Sequence, residues 1–313
     1  MTTDARTSWP WAKILIVAVP VWLLVSGGVG LVLHFHYQEK ERQEQKHAYR
    51  KDINAKSLAD DFSKISSWVG ARHHQTAEAR SGLLRMASMI EGALGVNNIG
   101  YEVTKMAGKA QGDFTAPLLL ADVLRRKTKE EIWLIVPYDS PASLPRGQAS
   151  ASAVAVSFAV AQSLVGRSFE RNVRFLYVPM AYADEQDRLD MAAQVQRVIA
   201  VQGGAIQVLV LGSMLHEGKL TALTRDARQP LLREAADLVT ASEDAEICLQ
   251  GDGEFSSLLF EMNVPASLLL KKPLAEMTAG QEDSMEPGTV VLAQSASDVL
   301  EVLTRLAGYS QKK

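Results

Sequence analysis

The chain has 313 residues, with 33 Lys and Arg against 36 Asp and Glu and a formal charge of −3. Its composition, 47% hydrophobic and 22% charged, is that of a globular protein and excludes a wholly disordered one. The near-neutral balance argues against nucleic acid as the main partner, because phosphate binding needs clustered Lys and Arg. The single cysteine, Cys248, excludes an intrachain disulfide and a Cys-rich zinc module.

Residues 1–13 form a short tail. From Ile14 to Leu33 no residue is charged, and at 1.5 Å per residue such a helix spans about 30 Å, the thickness of a bilayer's hydrocarbon core. Trp9, Trp11 and Tyr37 flank it, as interfacial aromatics do. Pro20 and the run Ser26-Gly27-Gly28-Val29-Gly30 weaken a soluble helix but are tolerated in lipid. The alternative is a cleaved signal peptide, but the run is long for one and no A-x-A-like site follows. The expectation is a single-pass membrane protein contacting the bilayer through residues 14–33. Arg6 and Lys13 precede the span, while Lys40, Arg42, Lys46, Arg50 and Lys51 follow it. By the positive-inside rule this favours a cytoplasmic main domain.

Residues 34–69 read as a helical juxtamembrane stalk. Its first part is polar with mixed charge. Further on, Leu58, Phe62, Ile65 and Val69 recur at helical spacing and predict packing, on the chain's own domain or on a partner helix.

Residues 70–313 alternate helix and strand patterns. Thr76–Leu94 reads as a helix, and Asn98–Met106 and Pro117–Leu124 as extended. Ile132–Val136, Val173–Val178, Ile206–Leu211 and Ala266–Leu270 are short apolar runs suited to buried strands. Ala149–Val165, Arg188–Gln202, Pro230–Ala241 and Ala296–Ala307 read as helices. The predicted fold class is α/β, a mostly parallel central sheet with helices on both faces. In such sheets ligands bind beyond the carboxyl ends of the strands. Those ends are Pro137-Tyr138-Asp139-Ser140, Pro179-Met180-Ala181, Gly212-Ser213-Met214 and the loop after Leu270.

These segments, in this order, resemble the co-catalytic di-zinc aminopeptidases of metallopeptidase family twenty-eight, over roughly residues 70–308. Ile132 to Ser140 is similar to the family's strand ending in His-Tyr-Asp-Ser. Gly147 to Ala155 is similar to its Gly-Ala-Asp-Asp-Asn-Ala-Ser-Gly segment, and Asn172 to Leu176 to the strand leading to a Glu-Glu pair. Gly251 to Phe255 with Val264-Pro265-Ala266 resembles the Ser-Asp-His and Pro-Ala region. Ala279 to Ser284 falls where a His-Thr-x-x-Asp motif precedes the last helix.

The resemblance implies a zinc-exopeptidase fold whose ligand positions have changed. A di-zinc site needs imidazole and carboxylate ligands at fixed places and a carboxylate base. Pro137 stands where the first His ligand is expected. Gln148, Ala149, Ser150 and Ala151 stand where the bridging aspartate is expected. The glutamate pair falls near Met180, Ala181 and Tyr182, the next aspartate near Gly212 and Ser213, and the last His at Ala279. Asp139 matches the carboxylate that orients the first His, and without that His is expected to cap the following turn. Asp252 and Asp283 match positions that support loops. Between residues 75 and 313 the one histidine is His216, and adjacent residues such as His73 and His74 point about 100° apart on a helix. No metal, cofactor or catalytic residue is therefore expected.

Other chemistries lack a pattern. There is no G-x-S-x-G elbow, P-loop or dinucleotide fingerprint. Cys248 sits in an apolar run and reads as a buried thiol. Ser150, Ser152 and Ser157 read as small packing residues. Asp184-Glu185 reads as a displaced glutamate pair or, more simply, as a helix start favoured by the dipole. The expected function is a membrane-anchored, catalytically inactive peptidase-like domain that binds a protein or peptide or serves as a subunit of a membrane complex. The alternatives are an active aminopeptidase with relocated ligands and a structural, self-associating membrane protein. Imidazole and acid groups of this chain meeting at a common point in the cleft would overturn the inactive reading and make peptide cleavage the leading account. The resemblance places the domain outside the cytoplasm, against the Lys and Arg count.

Overall fold

A computed structural model describes residues 19, 21–22, 26–31, 33–37, 53–108, 110–111, 114–124, 128–226, 228–242, 252–271 and 278–308. The chain divides into two units, Met1–Ala48 and Tyr49–Lys313. In the first, the described residues between 19 and 37 are helical. Much of the expected span 14–33, the polar part of the stalk and Cys248 lie outside the described residues. Among the described residues no helix is long and apolar enough to cross a membrane.

The second unit starts on a capped helix. The Asn54 side chain accepts from the N–H groups of Lys56 and Ser57, each at 3.1 Å, and opens α1, Ala55–Ser63. The helix widens into a π-helical turn over Lys64–Val69. Leu58, Phe62, Ile65 and Val69 all lie in the core, so this helix packs on the chain's own domain. Thr76 caps α2, Ala77–Leu94, by accepting from Ala79 N–H. Its buried face carries Leu83, Met86, Ala87, Ile90 and Leu94, at the predicted helical spacing.

The remaining elements are β1 Val103–Met106, β2 Ala110–Gln111, β3 Phe114–Thr115, β4 Leu118–Leu124, β5 Glu131–Pro137, α3 Gln148–Leu164, β6 Asn172–Val178, α4 Glu185–Val201, β7 Gln207–Leu211, β8 Leu220–Leu223, α5 Pro230–Glu234, β9 Val239–Ser242, α6 Asp252–Glu261, β10 Ala266–Lys271, α7 Ala279–Asp283 and α8 Thr289–Leu306. β2 and β3 form a small antiparallel pair. The other eight strands make one sheet in the order β1-β4-β6-β5-β7-β10-β8-β9.

The four central strands, β6, β5, β7 and β10, run parallel. They are buried along their whole lengths, as their continuous apolar runs predict. The sheet as a whole is mixed and not mostly parallel. β4 is antiparallel to both β1 and β6, and β8 is antiparallel to β10. The reason lies in the connections. α3 and α4 carry the chain back between β5, β6 and β7, which keeps those strands parallel. No helix separates β1 from β4 or β7 from β8, so the chain need not return to the same edge before pairing. The helix expected over 230–241 is also shorter. It ends at Glu234, and Val239–Ser242 instead pairs with β8 at the sheet edge, where a β-branched pair, Val239-Thr240, suits a strand.

β5 leads through α3 to β6 on one side, and β6 leads through α4 to β7 on the other. Right-handed crossovers then place the two helices on opposite faces of the sheet. α3 packs against α1 and α8, and α4 against α6. α3 is buried nearly throughout, which its run of Ala, Ser and Val allows by permitting close approach. Its serines bond back within the helix: Ser152 donates to Ala149 O at 2.6 Å and Ser157 to Val154 O at 2.7 Å. They are packing residues, as the sequence predicts.

Candidate functional site at the strand ends

β5 and β6 stop at the same level, with Pro137 paired in register with Val178. Pro137 is buried at the end of β5 and has no side-chain donor atom. Beyond it Asp139, 2% exposed, reaches across to the end of β6, where Oδ2 accepts from Tyr182 N–H at 2.9 Å. This corrects the expectation that Asp139 caps its own following turn. Adjacent parallel strands that end together put the Tyr182 amide closer to hand. Asp139 Oδ1 is buried without a hydrogen-bond partner. Ala181 is buried beside it, and Met180 holds φ 63°, a left-handed conformation that non-glycine residues rarely adopt.

Burial pushes the Asp139 carboxyl up to about 7, against the pull of amide hydrogen bonds and the charge of Arg72. The folded chain therefore keeps a proton that the unfolded chain, with its ordinary value near 3.8, has already lost. This group's contribution to stability is complete below about pH 4, falls as pH rises toward about 7, and is level above that. Asp139→Asn, which keeps the acceptor for Tyr182, is expected to flatten this slope and to stabilise the protein at about pH 8 by up to about 4 kcal/mol. Urea unfolding at several pH values checks it, and parallel pH profiles for the two proteins would refute it.

A fully buried arginine ties the next pieces together. The Arg72 guanidinium donates from Nε to Tyr138 O at 2.9 Å, from NH1 to Gly70 O at 2.6 Å and Ile65 O at 3.3 Å, and from NH2 to Gly147 O at 2.9 Å and Ser150 Oγ at 2.7 Å. Burial lowers its pKa to about 10, opposed by the charges of Asp139, Tyr182 and Asp283. Its own N–H donates to Ser140 Oγ at 2.9 Å, and its carbonyl accepts from Ser140 N–H at 2.7 Å. Gly147 opens α3 with φ 53°, and a Cβ there would lie 2.3 Å from Ser140 Cβ. Only glycine fits. Ala149 is buried in the first turn behind it. Nothing in periodicity or spacing marks Arg72; its role comes from a contact with the chain 66 to 78 residues further on.

At the start of α3 the Asp283 carboxylate accepts from Arg146 N–H and Gln148 N–H, each at 3.0 Å. It satisfies N-terminal amides that Gly147 cannot cap. Ala279 opens α7, whose capping box joins Thr278 and Gln281. At the end of β7, Gly212 N–H donates to Leu269 O at 2.8 Å. Ser213 Oγ donates to Glu282 Oε1 at 2.5 Å, and His216 Nε2 lies 2.9 Å from the same oxygen. All three side chains are buried. Asp252 begins α6.

The structure thus joins Asp139 with Ala181 and Tyr182, Ser150 with Arg72 and Gly147, Asp283 with the start of α3, and Ser213 with Glu282 and His216. The His216–Glu282 pair was not visible in the sequence, because α7 supplies the acid. It brings an imidazole and a carboxylate together, but by a direct hydrogen bond on one shared oxygen.

The strand ends do not fit a di-zinc pair. Pro137, Ala149, Ala181, Gly212 and Ala279 carry no ligand atom, and both carboxylate oxygens of Asp283 are held by backbone amides. Among the described residues, the group of His, Cys, Asp or Glu able to share one ion is elsewhere: His74, Asp184 and Asp187. Asp184 caps α4 by accepting from Asp187 N–H at 3.1 Å, the helix-start role expected for it.

Neither a family model nor a curated protein sequence matches the chain. Solved structures do. The LapA aminopeptidase of Legionella pneumophila superimposes with a TM-score of 0.62 at 14% identity, over 86% of this chain and 75% of that one. The fold is that of the zinc exopeptidases. BSAP, a zinc aminopeptidase from Bacillus subtilis, gives 0.61 at 11% identity over 83% of this chain and 97% of its own. The glutaminyl cyclase of Porphyromonas gingivalis gives 0.58 at 15% identity over 80% and 98%. The mixed sheet flanked by helices is the feature held in common, and at these identities it speaks for fold alone.

Proposed function

We propose that this chain is a membrane-anchored, catalytically inactive member of the zinc-exopeptidase fold that acts by binding a protein or peptide, as a subunit of a membrane complex. The observation carrying this reading is the chemistry at the strand ends. Where the resemblance expects metal ligands stand Pro137, Ala149, Ser150, Ala181, Tyr182, Gly212, Ser213 and Ala279. Of the acids that remain there, Asp139 and Asp283 accept from backbone N–H groups, and Glu282 accepts from Ser213 Oγ with His216 on the same oxygen. A cleft held this way keeps its shape and lacks the means to make hydroxide from bound water. The uncharged run 14–33 supports the anchor.

A second reading, hydrolysis by relocated groups, is favoured by the meeting of His216 and Glu282 at 2.9 Å. One assay separates the two. Full-length protein in detergent, supplied with zinc, is expected to show no chelator-sensitive hydrolysis of amino-acyl anilides above buffer. Turnover abolished by chelator and by Glu282→Gln would overturn the first reading and establish the second.

A further inference from the structure

The segment leading into α2 and the first turn of α4 meet above the carboxyl ends of the strands. His74 comes from the first, Asp184 and Asp187 from the second, and their ligand atoms all lie within 4.8 Å of one another. We propose that these three side chains hold one divalent transition-metal ion of the zinc type, which clamps the segment before α2 to the start of α4. His74 and Asp187 occupy no position where the family resemblance puts a metal ligand, Asp184 is the helix cap weighed above as a displaced glutamate, and the proposal does not depend on the function proposed above.

Several observations point the same way. The donor set is one imidazole nitrogen and two carboxylates, the set that zinc and its neighbours prefer over calcium or magnesium. His74 Nε2 and Asp187 Oδ2 are 3.8 Å apart. That is too long for a hydrogen bond and longer than the about 3.3 Å between two ligands on a tetrahedral ion, so the side chains would draw in by about 0.5 Å on binding. Asp184 and Asp187 sit one helical turn apart on the same face, so both carboxylates turn toward the imidazole. Among the described residues, no Lys or Arg nitrogen pairs with either acid. The neighbouring Arg188 is engaged with Glu254 and with Ala183 O instead. Two adjacent carboxylates that, among the described residues, face no cationic side chain other than His74 itself make a site of negative potential that a divalent ion would neutralise.

The positions are also held from behind. Asp184 is fixed as the α4 cap by Asp187 N–H, and His74 O accepts from Arg80 Nε at 2.5 Å. The side chains of His74 and Asp187 are 15% and 18% exposed, so the ion would enter from solvent and retain water in its open coordination position. The clamp would also brace the residues around Arg72, two positions before His74.

Zinc titration of the chelator-stripped, full-length protein in detergent, against a competing chromophoric chelator, tests this. One equivalent is expected to bind, with a rise in the thermal midpoint, because an ion that binds only the folded state stabilises it. His74→Ala and Asp187→Asn are each expected to weaken binding at least roughly tenfold, since even residues one step removed from a metal cost 10- to 100-fold, and to abolish the thermal rise. Asp139→Asn, at the strand ends, is expected to leave binding unchanged. Zinc binding equally well to wild type and to the folded Asp187→Asn variant, or no binding to wild type, would overturn the site. Cobalt substituted for zinc gives an independent readout: visible absorption bands that disappear with His74→Ala support it, and bands that persist count against it. Two bound ions with chelator-sensitive hydrolysis would overturn the inactive reading, whereas this site would still be judged by the ion lost with His74.

Discussion

A chain shortened to begin at residue 70 is expected to lose cooperative unfolding, while one beginning at residue 49 keeps it. The shorter chain removes α1 and its π-helical turn, with Leu58, Phe62, Ile65 and Val69 in the core. Each such side chain stabilises by about 1.5–3 kcal/mol through burial, or roughly 6–12 kcal/mol together. That is comparable with the whole stability of a domain, about 5–15 kcal/mol. α1 also packs against both α3 and α8, so its loss would uncover apolar surface on both. Thermal melting followed by near-ultraviolet circular dichroism measures the effect. A cooperative transition at the same temperature in both fragments would show that this helix is an appendage.

Replacing Arg72 by methionine is expected to destabilise the protein by roughly 3–5 kcal/mol, the cost of breaking a buried charged network by removing one partner. Its guanidinium bridges three pieces of chain: the turn at Ile65 and Gly70, the end of β5 at Tyr138, and the start of α3 at Gly147 and Ser150. Methionine matches the stem but leaves buried oxygens without those donors. Lysine is expected to recover less than half the loss, since one ammonium cannot serve partners lying in three directions as the planar fork does. Urea unfolding at pH 7 gives the comparison. An Arg72→Lys protein as stable as wild type would show that the charge alone, and not the fork, is what matters.

The same arginine also organises the ends of the central strands. Gly147, Ser140 and Ser150 crowd together around it, and Asp283 closes the other side of the α3 start. The amides at the beginning of α3 and the end of β6 are satisfied by the chain's own carboxylates.

What the sequence determined by itself was the middle of the molecule. The apolar runs at Ile132–Val136, Val173–Val178, Ile206–Leu211 and Ala266–Leu270 had to be buried on both faces, and helices between the first three had to make them parallel. The helical faces of α1, α2 and α8 were likewise legible, because 3.6-residue spacing is written in consecutive residues. So were the residue types at the strand ends, since the side chains of proline and alanine carry no atom that binds zinc. Only the tertiary structure decided the edges of the sheet, where β8 and β9 are four residues each, too short for alternation to stand out. It also decided the partners of Arg72, His74, Asp139 and His216. Those contacts join segments far apart along the chain, and a pattern of neighbouring residues carries no record of what the fold brings to meet them.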